Sequence, residues 1–368
     1  MTAYRLADTI KGVGEKHSWV EIDDDTGVML DRRGHRIQAE LMPGAVHDAT
    51  EIPTYLQGLV NKKMMADEVS RPIPYEYTTG RYTAVDPRDS FEAASVKVGI
   101  AAWLPEITTR LSKTTFTMEF RGACTFINDV TDAEAHGGPY SPRLQAAKRI
   151  LKVMQIDREI DVWTMLSTAA NWNANNVVTL TSGFEWNTGV NANPIADIEN
   201  MITDSDDDIT DFWMNRAVSF ALIDNEAVRD RMFQFYGAAG APQKLAEIHR
   251  ADGNERVSFM LAGFDGIRFN IVNAKRHNAT TGLRDTILGD DFIGTVEATP
   301  EPTSGEDGNT TVTFRYSGVA TGGTGYVERT ARLEGRGVFG GSMMYISQGD
   351  VPLMVGPTLG GLIKNVLA

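Results

Sequence analysis

The spacing of apolar residues changes along the chain, and each change predicts a different kind of structure. Over residues 1–70, short apolar pieces such as residues 28–30 alternate with turn clusters: Asp23-Asp24-Asp25, Arg33-Gly34 and Met42-Pro43-Gly44. No amphipathic helix of domain size occurs there, so the stretch reads as an arm that packs on something else. Residues 71–120 carry strand signals. Pro72 and Pro74 break any helix, and Tyr75-Glu76-Tyr77 and Arg81-Tyr82-Thr83 gather β-favouring types around Gly80. Residues 94–101 and 114–120 alternate well enough to be the legs of a long two-stranded excursion. A lone hairpin of this kind is marginal in water and needs a partner surface.

The strongest periodic signal begins at Ser141, a good N-cap, followed by Pro142 at the favoured first helical position. Residues 141–171 then contain no further proline or glycine, which predicts a helix of about thirty residues. Its apolar face drifts. Leu144, Ala147, Ile150, Leu151, Val153 and Met154 share one side in the first half, and Val162, Trp163, Met165, Leu166 and Ala169 share another in the second. A bundle helix keeps one stripe, whereas this one is expected to touch two different neighbours.

Beyond residue 177 the pattern becomes mixed α/β. Strands are expected at 177–180, 217–223, 257–261 and 267–272, and helices from Asn193-Pro194, from Asp224 or Asn225 to Tyr236, and over 242–250. The stretch from 288 to 325, rich in Gly, Thr and Glu around a strand-like piece at 311–316, reads as a surface insertion or hairpin. Residues 326–368 supply closing strands. The class is α+β.

Composition narrows the function. The 368 residues carry a formal net charge of −14, the wrong sign for a free-standing nucleic-acid binder. One cysteine, Cys124, can form no intramolecular disulfide, which suits a reducing compartment. No apolar run is long enough to span a membrane, so no membrane partner is expected.

Catalytic chemistry has little to stand on. The G-x-S-x-G, H-E-x-x-H, C-x-x-C and P-loop signatures are absent. Asp204, Asp206 and Asp208 imitate the start of a calcium loop, but Ile209 occupies the position that needs glycine and Asn215 the position that needs glutamate. A solvated acidic loop is the simpler account. No two of the six histidines lie three or four residues apart, so no helical metal pair forms. Neither a cofactor nor an enzymatic activity is expected. The remaining candidates are charges at surfaces. Arg143, Lys148, Arg149 and Lys152 put four cations near the start of the long helix, where the helix dipole prefers anions. They suit a solvated face, an acidic neighbouring subunit, or DNA. Glu92, Lys97 and Arg110 in the extended loop suit polar contacts at the rim of an interface.

The order of these elements resembles the Hong Kong 97-type fold of tailed-phage major capsid proteins. The resemblance is carried by IDREIDVWTMLSTAANWNANNVVTL and WNTGVNANPIADIENMI between residues 156 and 202, where a long helix bearing Arg158-Glu159 ends in an Ala-Ala-Asn segment before an Asn-Pro-Ile helix. ILGDDFIG, VTFRYSG and GPTLGGLIKNVL follow in the family's order. It implies an N-terminal arm (1–70), an extended β-hairpin loop (71–120), a peripheral domain (121–190) built on the spine helix (141–171), an axial domain (191–287) and C-terminal strands (326–368) completing both domains. It also implies a subunit that assembles with itself as hexamers and pentamers into an icosahedral shell around double-stranded DNA, in a virion put together in the host cytoplasm. The implied partners are a separate scaffolding protein, since the arm begins almost at once, together with a portal protein and a decoration protein. Two other readings stay open: an encapsulin-like compartment that encloses protein cargo, and a hydrolase with a dispersed site around residues 204–211.

Overall fold

The computed structural model describes residues 2–5, 19–22, 29–30, 64–85, 111–134, 142–188, 191–250, 257–277, 280, 282–296, 309–318, 326–333 and 340–368. Thr2–Arg5 (β1), Trp19–Ile22 (β2) and Met29–Leu30 (β3) form a small antiparallel sheet. A single helical turn, Ala66–Val69 (α1), precedes Arg71–Tyr75 (β4). Thr79–Val85 (β5) and Leu111–Thr117 (β6) pair as an antiparallel ribbon, with Thr79 opposite Thr117 and Val85 opposite Leu111. Then come Glu119–Asn128 (β7), the short helix Asp129–Glu134 (α2) and the long helix Pro142–Ser167 (α3).

The following block contains Val177–Thr179 (β8), Pro194–Asp204 (α4), Asp211–Asn215 (β9), Arg216–Asp224 (α5) and Glu226–Arg250 (α6). Strands Val257–Phe259 (β10), Arg268–Val272 (β11), Lys275–His277 (β12), Arg284–Thr286 (β13) and Phe292–Thr295 (β14) continue it. The chain closes with Thr311–Tyr316 (β15), Tyr326–Leu333 (β16), Gly341–Met354 (β17) and Gly360–Lys364 (β18).

Two sheets organise these elements. One runs β10-β11-β9-β14-β18-β8, and the other runs β16-β17-β15-β4 with β7 also paired to β17. The six-stranded sheet is buried on both faces, because adjacent residues of its strands enter different cores. Phe212, Met214, Phe292 and Ile363 face a core shared with α4, α5 and α6, while Trp213, Ile293 and Leu362 face one shared with Val162, Trp163 and Leu166 of α3. The first half of α3 packs instead on the other sheet, with Ala147, Ile150, Leu151 and Met154 against Ile127, Met344 and Ile346. The drifting apolar face thus corresponds to two neighbours. Val153, however, is 54% exposed and lies off the buried side.

Several expectations need correction. The α-helix ends at Ser167, with Ala169–Asn171 a separate 3-10 turn. The cause is a set of side chains that occupy the last carbonyls. Thr168 Oγ1 donates to Thr164 O (2.6 Å), Asn171 Nδ2 to Met165 O (2.7 Å), Trp172 Nε1 to Leu166 O (2.7 Å) and Lys364 Nζ to Ser167 O (3.3 Å). The run expected as a strand at 217–223 is α5. Asn215 caps it by accepting from Val218 N at 2.7 Å, and the strand is the preceding β9. The two helical pieces expected up to residue 250 do stand apart within the run Glu226–Arg250, because Gly237, with φ of 71° and ψ of 172°, is not helical. Residues 288–325 are not a surface insertion throughout. Phe292 and Ile293 are fully buried in the six-stranded sheet, and β15 sits between β17 and β4 with Thr313 fully buried. The extended loop does not begin at residue 71 either, because β4 is a strand of the sheet, parallel to β15. The described two-stranded ribbon is β5 with β6, and the leg expected at 94–101 lies outside the described residues.

Candidate assembly surfaces

A buried polar node joins the elements that meet at the middle of α3. Glu159 is fully buried and acts as a cap for a segment more than ninety residues away. Met65 N donates to its Oε1 (2.8 Å), Ala66 N to its Oε2 (2.9 Å), and Trp163 Nε1 to its Oε1 (2.9 Å). These bonds satisfy N–H groups that the single turn of α1 leaves without helical partners. Burial pushes the Glu159 carboxyl above its ordinary range, and the three donors only partly pull it back. The turn of α1 therefore docks on α3, with Met65, Ala66 and Val69 buried against Val162 and Trp163.

Beside this cap, Asp350 of β17 is fully buried between two arginines. Arg121 Nε of β7 lies 2.8 Å from Asp350 Oδ1 and Arg158 Nε of α3 lies 3.3 Å from Oδ2, close ion pairs without hydrogen-bond alignment. Arg121 also donates to Asp161 (2.6 Å) and Asp157 (3.2 Å). Arg158 pairs with Asp67 of α1, which Arg315 of β15 reaches at 3.2 Å. Burial raises the Asp350 carboxyl, and Arg121 and Arg315 offset part of the rise. Desolvation takes back most of the coulombic gain in such a cluster, so its value lies in fixing how α1, α3, β7, β15 and β17 sit together. None of these roles was legible beforehand, apart from Arg158-Glu159 as part of the family pattern.

One side of the five-stranded sheet is covered by the first half of α3; the other is covered over Val312 and Phe314 by Phe116 and Met118 at the root of the ribbon, and carries exposed side chains over β7 and β17. On the other side, Tyr345 stands opposite Cys124 in the β7–β17 register, and Phe120 opposite Gly349. Phe120 is 60% exposed, Tyr345 is 39% exposed and Cys124 is exposed. Together with Tyr316 and Val327 they line a concavity of about 500 Å³. A second apolar surface occupies the other block, where Phe233, Phe235 and Tyr236 of α6 are exposed, as are Met260 and Leu283. A contiguous apolar surface such as the one around Phe120 and Tyr345 marks a place where another molecule binds.

The expected charged residues divide. Arg143 is held by Asp132 of α2 at 3.0 Å, and Lys148 is half-buried. Arg149 and Lys152 are exposed on the side of α3 away from the sheet. Glu92, Lys97 and Arg110 lie outside the described residues. The acidic loop is bound into the structure: Asp206 N donates to Thr358 O (3.1 Å), and Gly360 N to Ser205 Oγ (3.0 Å). Asp211 is held in a two-pronged pair with Arg268 (2.8 and 2.9 Å) and also accepts from Asn270 (2.8 Å), so its oxygens serve the β9–β11 pairing. Among the described residues no group of three or more His, Cys, Asp or Glu is placed to hold a metal ion, and no helix is long and apolar enough to cross a membrane.

No protein-family model and no curated protein matches the sequence. Solved structures do match in fold. A phage-related protein from Bordetella bronchiseptica RB50 aligns with a TM-score of 0.62 at 13% identity, covering 88% of this chain and 98% of that one. The capsid protein of cyanophage P-SCSP1u aligns at 0.51 with 14% identity over 83% and 89% of the two chains. A protein of an Escherichia coli CFT073 prophage, described as a capsid protein, aligns at 0.51 with 10% identity over 87% and 99%. At these identities the likeness is one of architecture: this chain has a mixed α+β fold of the kind found in phage capsid proteins.

Proposed function

We propose that this chain is a major capsid protein of a tailed double-stranded DNA phage, built on the Hong Kong 97-type fold. In this reading, copies associate as hexamers and pentamers into an icosahedral shell around DNA. The five-stranded sheet with α3 forms the peripheral domain, the block from α4 to β11 forms the axial domain, and the ribbon from Thr79 is the extended loop. Arg149 and Lys152 face the packaged DNA. A scaffolding protein, a portal protein and a decoration protein are the partners such a shell calls for.

The observation that carries this reading is an apolar sheet face left partly open. Exposed Phe120 and Tyr345 on the part of that face the ribbon root does not cover, and a ribbon with no third strand among the described residues, are marginal in an isolated subunit. Repeating neighbours in a closed shell cover both. The test is to replace residues 84–112 with a short Gly-Ser linker, cutting at the cross-strand pair Ala84–Ser112. The full chain, co-expressed with its genomic neighbours, should give closed particles in electron microscopy. The shortened chain should melt cooperatively but stay at the level of single subunits or capsomers. A full chain that stays monomeric with those neighbours present defeats the reading, and particles filled with protein instead of DNA would favour the encapsulin-like alternative.

A further inference from the structure

The ribbon is rooted in a stack of aromatic rings. Phe116 of β6 lies flat on Phe314 of β15, with centroids 4.1 Å apart and planes 5° from parallel. Tyr75 of β4 meets both edge-on, at 5.3 Å from Phe116 and 5.8 Å from Phe314, and Tyr82 of β5 lies 5.7 Å from Phe314. Phe116 and Phe314 are buried, with Met118 and Val312 around them. Gly80 stands directly opposite Phe116 in the ribbon. A methyl group built there would fall 2.6 Å from both the Phe116 ring and the Tyr75 hydroxyl. The missing side chain at residue 80 is thus the space that the Phe116 ring uses. The next pair outward on the same face, Tyr82 and Thr114, ends this contact: Tyr82 is half-buried, and Thr114 is exposed.

A two-stranded ribbon twists and bends easily when only its own hydrogen bonds hold it. Ring stacking and edge-to-face contacts depend on orientation as well as distance, so a cluster spread over β4, β5, β6 and β15 resists rotation of the ribbon about its root. We propose that Phe116, Phe314, Tyr75 and Tyr82, with Gly80 as the opening that admits Phe116, form an angular lock. The lock fixes the direction in which the ribbon leaves the subunit, and so the angle at which it meets the next copy. These are positioning residues for assembly. The part concerning the next copy rests on the capsid reading; the lock itself does not.

The single cysteine of the chain, Cys124, is exposed on the adjacent β7 and supplies one labelling point. With Lys113→Cys as the second, double electron–electron resonance on unassembled subunits reads the angle of the ribbon as a distance distribution. The starting chain should give one narrow distribution. Phe314→Leu, which keeps apolar volume but removes the stack, should at least double its width while the melting temperature stays within several degrees. Gly80→Ala should shift or broaden it in the same way, and Lys113→Cys with Arg81→Ala, a change on the exposed face of β5, should leave it unchanged. Unchanged widths in both Phe314→Leu and Gly80→Ala overturn the lock. Particles of Phe314→Leu should be fewer and spread in diameter; a broadened ribbon with particles of normal yield and size overturns the link from angle to assembly. If the starting chain builds no particles while the widths still respond, the capsid reading fails and the lock stands.

Discussion

The two sheets of this protein are made from similar residues but are finished differently. The six-stranded sheet has a core on each face: helices α4 to α6 on one, and the second half of α3 on the other. The five-stranded sheet has the first half of α3 on one face, while its other face is covered by the ribbon root over β15 and left open at Phe120, Cys124 and Tyr345. A sheet closed on both sides is a complete folding unit, whereas one closed only in part on its second side is stable enough to exist and unfinished enough to bind. The contrast separates residues that keep the subunit folded from residues that join it to something else, and mutations should separate along the same line.

The largest effect is expected where α3 meets the closed sheet. Trp163→Ala removes a buried indole that lies tilted against Trp213 (centroids 5.8 Å apart) and donates to Glu159, and should cost about 3–5 kcal/mol in urea unfolding. A loss below about 1 kcal/mol would mean that this half of α3 does not anchor the subunit. Next comes Asp350→Ala in the buried node. It leaves Arg121 and Arg158 without their shared counter-charge and should cost about 3 kcal/mol. The same change should loosen the junction of α1 with β17, visible as faster hydrogen exchange at Met65 and Ala66.

A smaller effect concerns pH. Burial raises the carboxyls of Glu159 and Asp350 above their ordinary values. A group whose folded pKa is raised binds protons better in the folded state, so its ionisation costs stability above that pKa. The cost is relieved as pH falls through the folded value and is gone once the unfolded group is also protonated, at about 4. Mild acidification from neutral pH should therefore raise the contribution of these two groups to stability, and Glu159→Gln should flatten its share of the dependence. Thermal melts across this range that show the node losing stability on acidification would contradict the burial argument. The smallest effect on folding should come from the solvent side of α3. Arg149→Glu with Lys152→Glu should change subunit stability by no more than about 0.5 kcal/mol. Particles built from that double variant should nevertheless retain less DNA, measured by nuclease-protected nucleic acid per particle.

The legible parts of the fold were those set by local chemistry. Pro142 marks the start of the long helix, Asn193-Pro194 opens α4 with Asn193 accepting from Ala196 N at 3.3 Å, and the 311–316 strand stands where its β-rich composition suggested. The end of α3 was misplaced because Thr168, Asn171, Trp172 and Lys364 take its carbonyls, and Lys364 arrives from almost two hundred residues away. Residues 211–215 were not read as a strand. Asp211 and Asn215 look like loop residues until Arg268, Asn270 and the carbonyls of Leu288 and Gly289 become their partners. Residues 217–223 are apolar at nearly every position, and a fully apolar run has no period to distinguish helix from strand.

Of the assembly surfaces, the sequence pointed to four cations at the start of α3 but not to which of them are occupied. Asp132 holds Arg143 and leaves Arg149 and Lys152 on the exposed side, a division that depends on where α2 folds back. By itself the sequence determined the α+β class, the long helix and its two apolar faces, because helix caps, prolines and periodicity act over a few residues. Only the tertiary structure decided that Glu159 caps a turn at Met65, that Asp350 binds Arg121 and Arg158, and that the part of the sheet bearing Phe120 and Tyr345 is left open. Those outcomes depend on segments far apart in the chain competing for the same buried space, and no local pattern records which of them prevails.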